Sequence, residues 1–148
     1  VPVRDLICRA GKRLSVPVIY VANRDIPRCE DYPVTMIRAD STPDAADDYI
    51  VDHAVTGDLV ITRDIPLANR LVENTVQVIN DRGTVYTTEN ISERLSMRNF
   101  MLELYSNGFA PEKIGQFGKR ELKDFANALD RELTRLIRQF PQHQGNVP

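Results

Sequence analysis

The chain has 148 residues, of which 42% are hydrophobic, so it is long enough for one domain with a core of its own. Its formal net charge of -2 excludes a sequence-wide basic field for nucleic acid, so a polyanionic partner would need a local basic patch. We find no apolar run of about 20 residues that would span a bilayer and no signal-peptide pattern, and we expect a cytoplasmic protein with no membrane partner.

The two cysteines, Cys8 and Cys29, form no CxxC motif and have no zinc-binding spacing with histidine. A secreted chain of this length usually carries more cysteines. We therefore expect both thiols to be reduced, in agreement with a cytoplasmic protein.

Helix and strand patterns alternate from the start of the chain. Apolar residues at helical spacing predict a helix in residues 3–14. Residues 16–23, VPVIYVAN, are apolar on both faces and rich in β-branched residues, which predicts a central parallel strand. Residues 32–39, YPVTMIRA, predict a second strand. Ser41 or Thr42 is then expected to cap the next helix.

The pattern continues after Gly57, which ends that helix. The segments DLVIT, PLANRLVEN and VQVIN predict a strand, a helix and a strand, and the turn signal NDRG closes them. Two long amphipathic helices follow, within TENISERLSMRNFMLELYSNG and KRELKDFANALDRELTRLIRQF.

This order of elements predicts an α/β fold with a mainly parallel central sheet and helices on both faces. We expect a single domain over residues 1–140, in which residues 88–140 form a C-terminal helical annex. Residues 141–148 have no apolar periodicity and are expected to be a disordered tail.

The acids near the strand ends are the candidate functional residues. Asp64 follows the strand DLVIT by two residues, so it lies at the carboxyl edge of the sheet, where open α/β sheets bind ligands. Asp58 opens the same strand at the opposite edge and suits a Gly-Asp turn. Taken alone, Asp64 would equally suit a helix cap ahead of Pro66.

Two further acids are expected at the same edge. Asp44 and Asp47 fall early in the helix after the second strand, three residues apart on one helix surface, whereas Asp48 and Asp52 face solvent. Carboxylates that converge with Asp64 repel one another unless a cation or a shared proton relieves them, and oxygen-only ligands suit Mg²⁺ or Mn²⁺. The alternative is that each acid complements the dipole at a helix start.

The segments DAADDYIVDHAVTGDLVITRDIPLA, INDRG and ISERLSMRNFM resemble the YaiI/YqxD family of uncharacterised bacterial proteins, a branch of the PIN-like nuclease superfamily. The resemblance implies a three-layer PIN-like fold, in which acids at the carboxyl edge hold divalent ions that activate water against a phosphodiester. By motif, the helix acids correspond to Asp44 and Asp47, and the T-x-D turn corresponds to Thr62 and Asp64.

The family also begins with a short apolar strand that ends in an Asp-Ala-Asp-Ala-Cys-Pro signature, and this chain starts where that signature should be ending. We expect the natural chain to carry such a strand upstream, with at least one aspartate directed at Asp47 and Asp64.

Several polar and basic residues are candidates for binding a polyanion. The alternative for the two on the long helix is pairing with neighbouring glutamates on a solvated face. The candidates are Asn23, Arg24, Arg82, Arg94 and Arg98.

Together with this resemblance, these residues predict a hydrolase, a ribonuclease-like metal-dependent phosphodiesterase that cleaves single-stranded or structured RNA. Asp44, Asp47 and Asp64 would bind Mg²⁺ or Mn²⁺, and Thr62 would support them with its hydroxyl. The alternative is a non-catalytic metal-dependent nucleotide or RNA-binding module. A phosphoacceptor domain of the receiver type ranks last, because VQVIND has no lysine at its end. No oligomeric state follows from the sequence.

Overall fold

The computed structural model describes residues 2–27, 29, 31–109 and 118–141. In these residues the order of elements is α1 (Pro2–Leu14), β1 (Val18–Ala22), β2 (Val34–Arg38), α2 (Ala45–His53), β3 (Leu59–Ile61), α3 (Ile65–Glu73), β4 (Gln77–Ile79), β5 (Val85–Tyr86), α4 (Thr88–Ser106) and α5 (Lys119–Gln139). The predicted alternation of helices and strands is confirmed. The short strand β5 was not predicted, and the expected tail lies outside the described residues except for Pro141.

The strands form two small sheets. β1 pairs in parallel with β2, with Val18 opposite Val34, and β3 pairs in parallel with β4, with Val60 opposite Val78. β5 is antiparallel to β4 across the predicted NDRG turn. The mixed α/β class is confirmed, but within the described residues the two sheets are not joined into the single mainly parallel sheet that was predicted. β3 and β4 are three residues long, so each offers few backbone groups for pairing.

Helices cover both faces of the three-stranded sheet. On one face, Val78 packs with buried residues of α3 such as Leu71, and with Ile91 at the start of α4. On the other face, Ile79 packs with Ala10 of α1 and with Phe125 of α5. Successive strand residues point to opposite faces of a sheet, so Val78 lies in one core and Ile79 lies in the other.

The two C-terminal helices differ in their burial. Phe125, Ala128 and Leu129 of α5 are almost fully buried, so α5 is part of the main core and not a peripheral annex. α4 packs against α3 at its start, but Met97 and Phe100 are 56% and 54% exposed farther along. In the described part of the chain, no helix is both long and apolar enough to cross a membrane.

A third cluster of buried residues lies between α1 and the β1–β2 sheet. It contains Cys8, Tyr20 and Val34, and Cys29 packs against it. The structure joins Cys8 and Cys29 in a disulfide, so the expectation of two reduced thiols is wrong for this structure. No local sequence pattern indicates this contact, because the cysteines are 21 residues apart and only packing brings them together. Ile19 is 44% exposed, so β1 is not covered on both faces as predicted.

Candidate functional site

Asp44 forms the N-cap of α2, two or three residues after the predicted caps Ser41 and Thr42. Its backbone is left-handed, with φ 68° and ψ 0°, a conformation that costs energy for a residue other than glycine. Its side chain makes no capping hydrogen bond, so the usual reason for an aspartate at this position does not apply. The exposed carboxylate of Asp44 remains available for another interaction.

Asp64 forms the N-cap of α3. Its Oδ1 accepts a hydrogen bond of 2.9 Å from the backbone N–H of Leu67, as the helix-cap alternative predicted. The backbone N–H of Asp64 donates to Oγ1 of Thr62 at 3.0 Å, so Thr62 positions the turn that carries Asp64. The second carboxylate oxygen, Oδ2, has no protein hydrogen-bond partner among the described residues.

Asp47 is affected electrostatically by both Asp44 and Asp64. The pKa of Asp47 is raised, first because its carboxylate is partly buried, and then because the negative charges of Asp64 and Asp44 disfavour ionisation. Asp47 is therefore close enough to both Asp64 and Asp44 for their charges to affect it. We call Asp44, Asp47 and Asp64 the acidic site.

Arg70 is a residue of this region that the sequence analysis missed. Its Nη1 donates to Oδ1 of Asp48 at 2.9 Å, which links α3 to α2. The pKa of Arg70 is raised by this hydrogen bond and by the charges of Asp48 and Asp47, and Arg70 in turn partly offsets the rise in the pKa of Asp47. Asp48 is exposed, as predicted, and it also forms the salt bridge with Arg70. No sequence pattern joins two residues on different helices in this way.

Asp81 and Arg63 form a second ion pair near the strand ends that the sequence did not predict. Asp81 follows β4 and is 9% exposed. Its Oδ2 accepts a hydrogen bond of 2.6 Å from Nε of Arg63 and lies 2.6 Å from Nη2 in the same ion pair. Arg63 lies between Thr62 and Asp64, so its ion pair with Asp81 helps to hold the turn that carries Asp64. The partner of Arg63 is set by the fold, so no local sequence pattern predicts its ion pair with Asp81.

The polyanion candidates occupy several positions. Asn23 and Arg24 are exposed directly after the end of β1, and Arg82 follows Asp81, with its Nη1 3.9 Å from Oε1 of Glu121. The guanidinium of Arg94 lies 5.6 Å from the ring centroid of Tyr86, and Arg98 donates to the side chain of Asn99 at 3.1 Å. In the described structure, neither arginine of α4 forms a salt bridge with a glutamate of its own helix.

The donor chemistry of the acidic site fits a hard divalent cation, because it consists of carboxylate oxygens. Among the described residues, none of its three acids forms a salt bridge with a basic side chain. The described side chains also include no group of three or more acids, histidines or cysteines arranged to hold a metal ion. The site thus offers oxygen ligands from two helix starts without a complete coordination shell.

These observations describe a mixed α/β protein with acidic residues at the N-terminal ends of α2 and α3. A family model described as "Uncharacterized BCR, YaiI/YqxD family" matches residues 1–135, and the chain belongs to this family. The resemblance to the YaiI/YqxD family is confirmed.

The chain is also similar to curated proteins named UPF0178 protein. One from Treponema denticola is 50% identical over 139 residues, which are 94% of this chain and 88% of the relative. One from Treponema pallidum is 48% identical over 136 residues, 92% of this chain and 77% of the relative. No solved structure matches the chain. These names state no activity, ligand or partner.

Proposed function

We propose that the protein is a PIN-like, divalent-metal-dependent phosphodiesterase of the cytoplasm that hydrolyses RNA at the acidic site. The observation that carries this proposal is that the pKa of Asp47 is raised by burial and then by the charges of Asp64 and Asp44, which belong to two separate helix starts. Among the described residues, none of the three acids forms a salt bridge. Like charges placed together in this way cost stability unless a cation or proton is bound. Helix capping alone would not require acids of two separate helix starts to lie close enough to affect the pKa of Asp47.

The backbone conformation of Asp44 is a second observation that supports the proposal. A left-handed aspartate that caps nothing costs energy for the fold, and such costs occur preferentially at functional sites. The arrangement of Asp64 is consistent with two simultaneous roles. Oδ1 accepts from the N–H of Leu67, which leaves Oδ2 as the oxygen that would bind a metal.

Mg²⁺ in such sites usually keeps several waters and is held by one or two carboxylates together with substrate phosphates. An incomplete set of protein ligands is therefore compatible with this metal. When bound, the ion would neutralise charge on the scissile phosphate and lower the pKa of a bound water.

The residues of this chain would prepare the site for that chemistry. Asp47 and Asp64 would bind the metal, with Asp44 as a further ligand, and Thr62 would hold the turn that carries Asp64. Arg70, drawn to Asp48, would limit the repulsion between the acids in the absence of metal. Asn23, Arg24 and Arg82 extend from strand ends and would contact the phosphates of the RNA, with Arg94 and Arg98 as more distant contacts.

The experiment is an RNA cleavage assay on the protein with Mn²⁺, using single-stranded and hairpin oligonucleotides. The Asp64→Asn variant keeps a side-chain oxygen that can cap α3, so we expect it to remain folded and to lose at least 100-fold in rate, as for loss of a metal ligand. Asp52→Asn is the matched control, because it removes the same charge from an exposed position on α2. Equal loss in both variants would contradict the proposal.

The incomplete ligand set favours a second candidate, the non-catalytic binding module. In that case Mn²⁺ would increase the affinity for RNA, and Asp64→Asn would remove the increase, but the RNA would stay intact. Binding and cleavage measured on the same oligonucleotide distinguish the two functions. The assay should include a form of the protein with any natural residues upstream of Val1, since an aspartate there was predicted as a further ligand.

A further inference from the structure

Cys8 and Cys29 are the two cysteines of the sequence, and the fold brings them together. Cys8 lies in the middle of α1, and Cys29 lies in the segment that connects β1 to β2. Their Cα atoms are 6.3 Å apart, within the range that a disulfide spans without backbone movement. The pair is thus a chemical link between a helix and a connecting segment.

The surroundings of the two sulfur atoms differ. Cys8 is 8% exposed, whereas Cys29 is partly exposed, so a small molecule in solvent would reach Cys29 first. The hydroxyl of Tyr20 lies 3.3 Å from Sγ of Cys8 and 3.8 Å from Sγ of Cys29. Burial raises the pKa of Tyr20, so its hydroxyl stays protonated. It can act as a polar partner for the sulfurs in both the reduced and the oxidised state.

We propose that Cys8 and Cys29 form a reversible thiol–disulfide switch, in which Cys29 exchanges with a small-molecule disulfide and Cys8 resolves the resulting mixed disulfide. This inference is independent of the proposed hydrolysis of RNA. It reconciles the disulfide of the structure with the reduced state expected in a cytoplasm, because each state is stable under a different thiol–disulfide ratio.

The exchange balances in two steps. The thiolate of Cys29 attacks one sulfur of the small-molecule disulfide, forms a mixed disulfide and releases the first small-molecule thiolate, which takes a proton from water. The thiolate of Cys8 then attacks Sγ of Cys29, breaks the mixed disulfide and releases the second thiolate. Overall, two protein thiols are oxidised to one disulfide, and one small-molecule disulfide is reduced to two thiols.

The oxidised state closes a covalent loop that contains all of β1. It also contains Asn23 and Arg24, which begin the connecting segment at the end of that strand. In the reduced state, the segment that connects β1 to β2 is held by noncovalent contacts alone. One of these is the packing of Ile26 against the buried cluster of Cys8, Tyr20 and Val34. Oxidation therefore restricts the chain at the end of β1.

The first test measures the protein in glutathione buffers that range from fully reduced to fully oxidised. Thiol titration should show two thiols in the reduced protein and none in the oxidised protein, with full recovery on return to the reduced buffer. The midpoint of thermal unfolding should fall by about 6–12 °C on reduction, as expected for opening a loop of this length in a domain of this size. A disulfide that native protein never loses, or never forms, would overturn the proposal.

The second test assigns the order of the two cysteines. In Cys8→Ser, oxidised glutathione should leave Cys29 as a stable mixed disulfide, detected as one added glutathione in the intact mass. In Cys29→Ser, the buried Cys8 should stay unmodified on the same time scale. The double variant is the control and should show no redox-dependent unfolding midpoint. Faster modification of Cys8 than of Cys29 would contradict the assigned roles, and the wild-type titration remains informative if a variant does not fold.

Discussion

At the scale of single residues, Asp47 carries the main electrostatic signature of the acidic site. Partial burial and the charges of Asp64 and Asp44 raise its pKa, so the native protein binds this proton more tightly than the unfolded chain does. Its contribution to the free energy of unfolding therefore increases as pH falls through the raised pKa. The gain is complete below the ordinary aspartate pKa of about 3.9. Above the raised pKa, the ionised form of Asp47 costs stability.

We predict that Asp47→Asn stabilises the metal-free protein at pH 7 by about 0.5 kcal/mol, a small value because solvent screens a partly exposed charge. The difference between the wild-type protein and the variant should shrink as pH falls from 7 to about 4, where the wild-type carboxyl is increasingly protonated. Urea unfolding at several pH values measures both quantities. Asp52→Asn should show a smaller effect, and a wild-type protein more stable than Asp47→Asn at pH 7 would refute this account.

At the scale of elements, the N-cap of α3, Asp64, has a structural role that variants can separate from its proposed metal-binding role. Asp64 caps the helix by accepting from the N–H of Leu67, an interaction that an asparagine can replace and an alanine cannot. We predict that Asp64→Ala costs about 1 kcal/mol of stability in the absence of metal. Asp64→Asn should cost little or nothing, because it also removes a like charge beside Asp47.

Both variants of Asp64 should abolish the binding of Mn²⁺, since neither keeps the second carboxylate oxygen. Unfolding experiments and calorimetry on the same two proteins measure the two effects separately. If Asp64→Asn retained full Mn²⁺ affinity, the capping role alone would explain this residue.

Local sequence patterns predicted most elements but not their boundaries or distant contacts. The strand DLVIT and the helix of PLANRLVEN were predicted because their apolar periodicity and capping signals are local. The start of α2 was misplaced because Ser41 and Thr42 stand just before Pro43, as helix caps commonly do, whereas nothing local indicates the left-handed backbone of Asp44. The two-residue strand β5 is too short to give a periodic signal. Two ion pairs depend on how the elements pack, so no local sequence pattern predicts them. They are Arg70 with Asp48 and Arg63 with Asp81.

At the scale of the whole molecule, the two cores on the faces of the three-stranded sheet hold the acidic site in place. α3 is anchored in one core by Leu67, Ala68 and Leu71, directly after the cap at Asp64. α2 has no fully buried residue, and it is tied to α3 through the pair of Asp48 with Arg70. The acidic site therefore joins a firmly packed helix to a loosely packed one, so a ligand that bridges them should stabilise the fold.

We predict that Mn²⁺ raises the midpoint of thermal unfolding in proportion to its occupancy of the acidic site. A ligand at 100 times its dissociation constant adds about 2.7 kcal/mol, which corresponds to a shift of about 5–10 °C for a domain of this size. A single-stranded oligonucleotide should increase the shift, because its phosphates would complete the metal coordination. Zn²⁺ should be less effective than Mn²⁺, since the acidic site supplies oxygen ligands alone.

The control for this measurement is Asp64→Asn, in which the shift with Mn²⁺ should disappear while the midpoint without metal stays near the wild-type value. Asp52→Asn should keep the shift, since Asp52 is not part of the acidic site. A shift that is the same in wild-type protein and Asp64→Asn would mean that Mn²⁺ binds elsewhere. A shift present with Mn²⁺ but unaffected by the oligonucleotide would separate metal binding from the proposed contact with RNA, because a shared phosphate ligand requires the two to bind cooperatively.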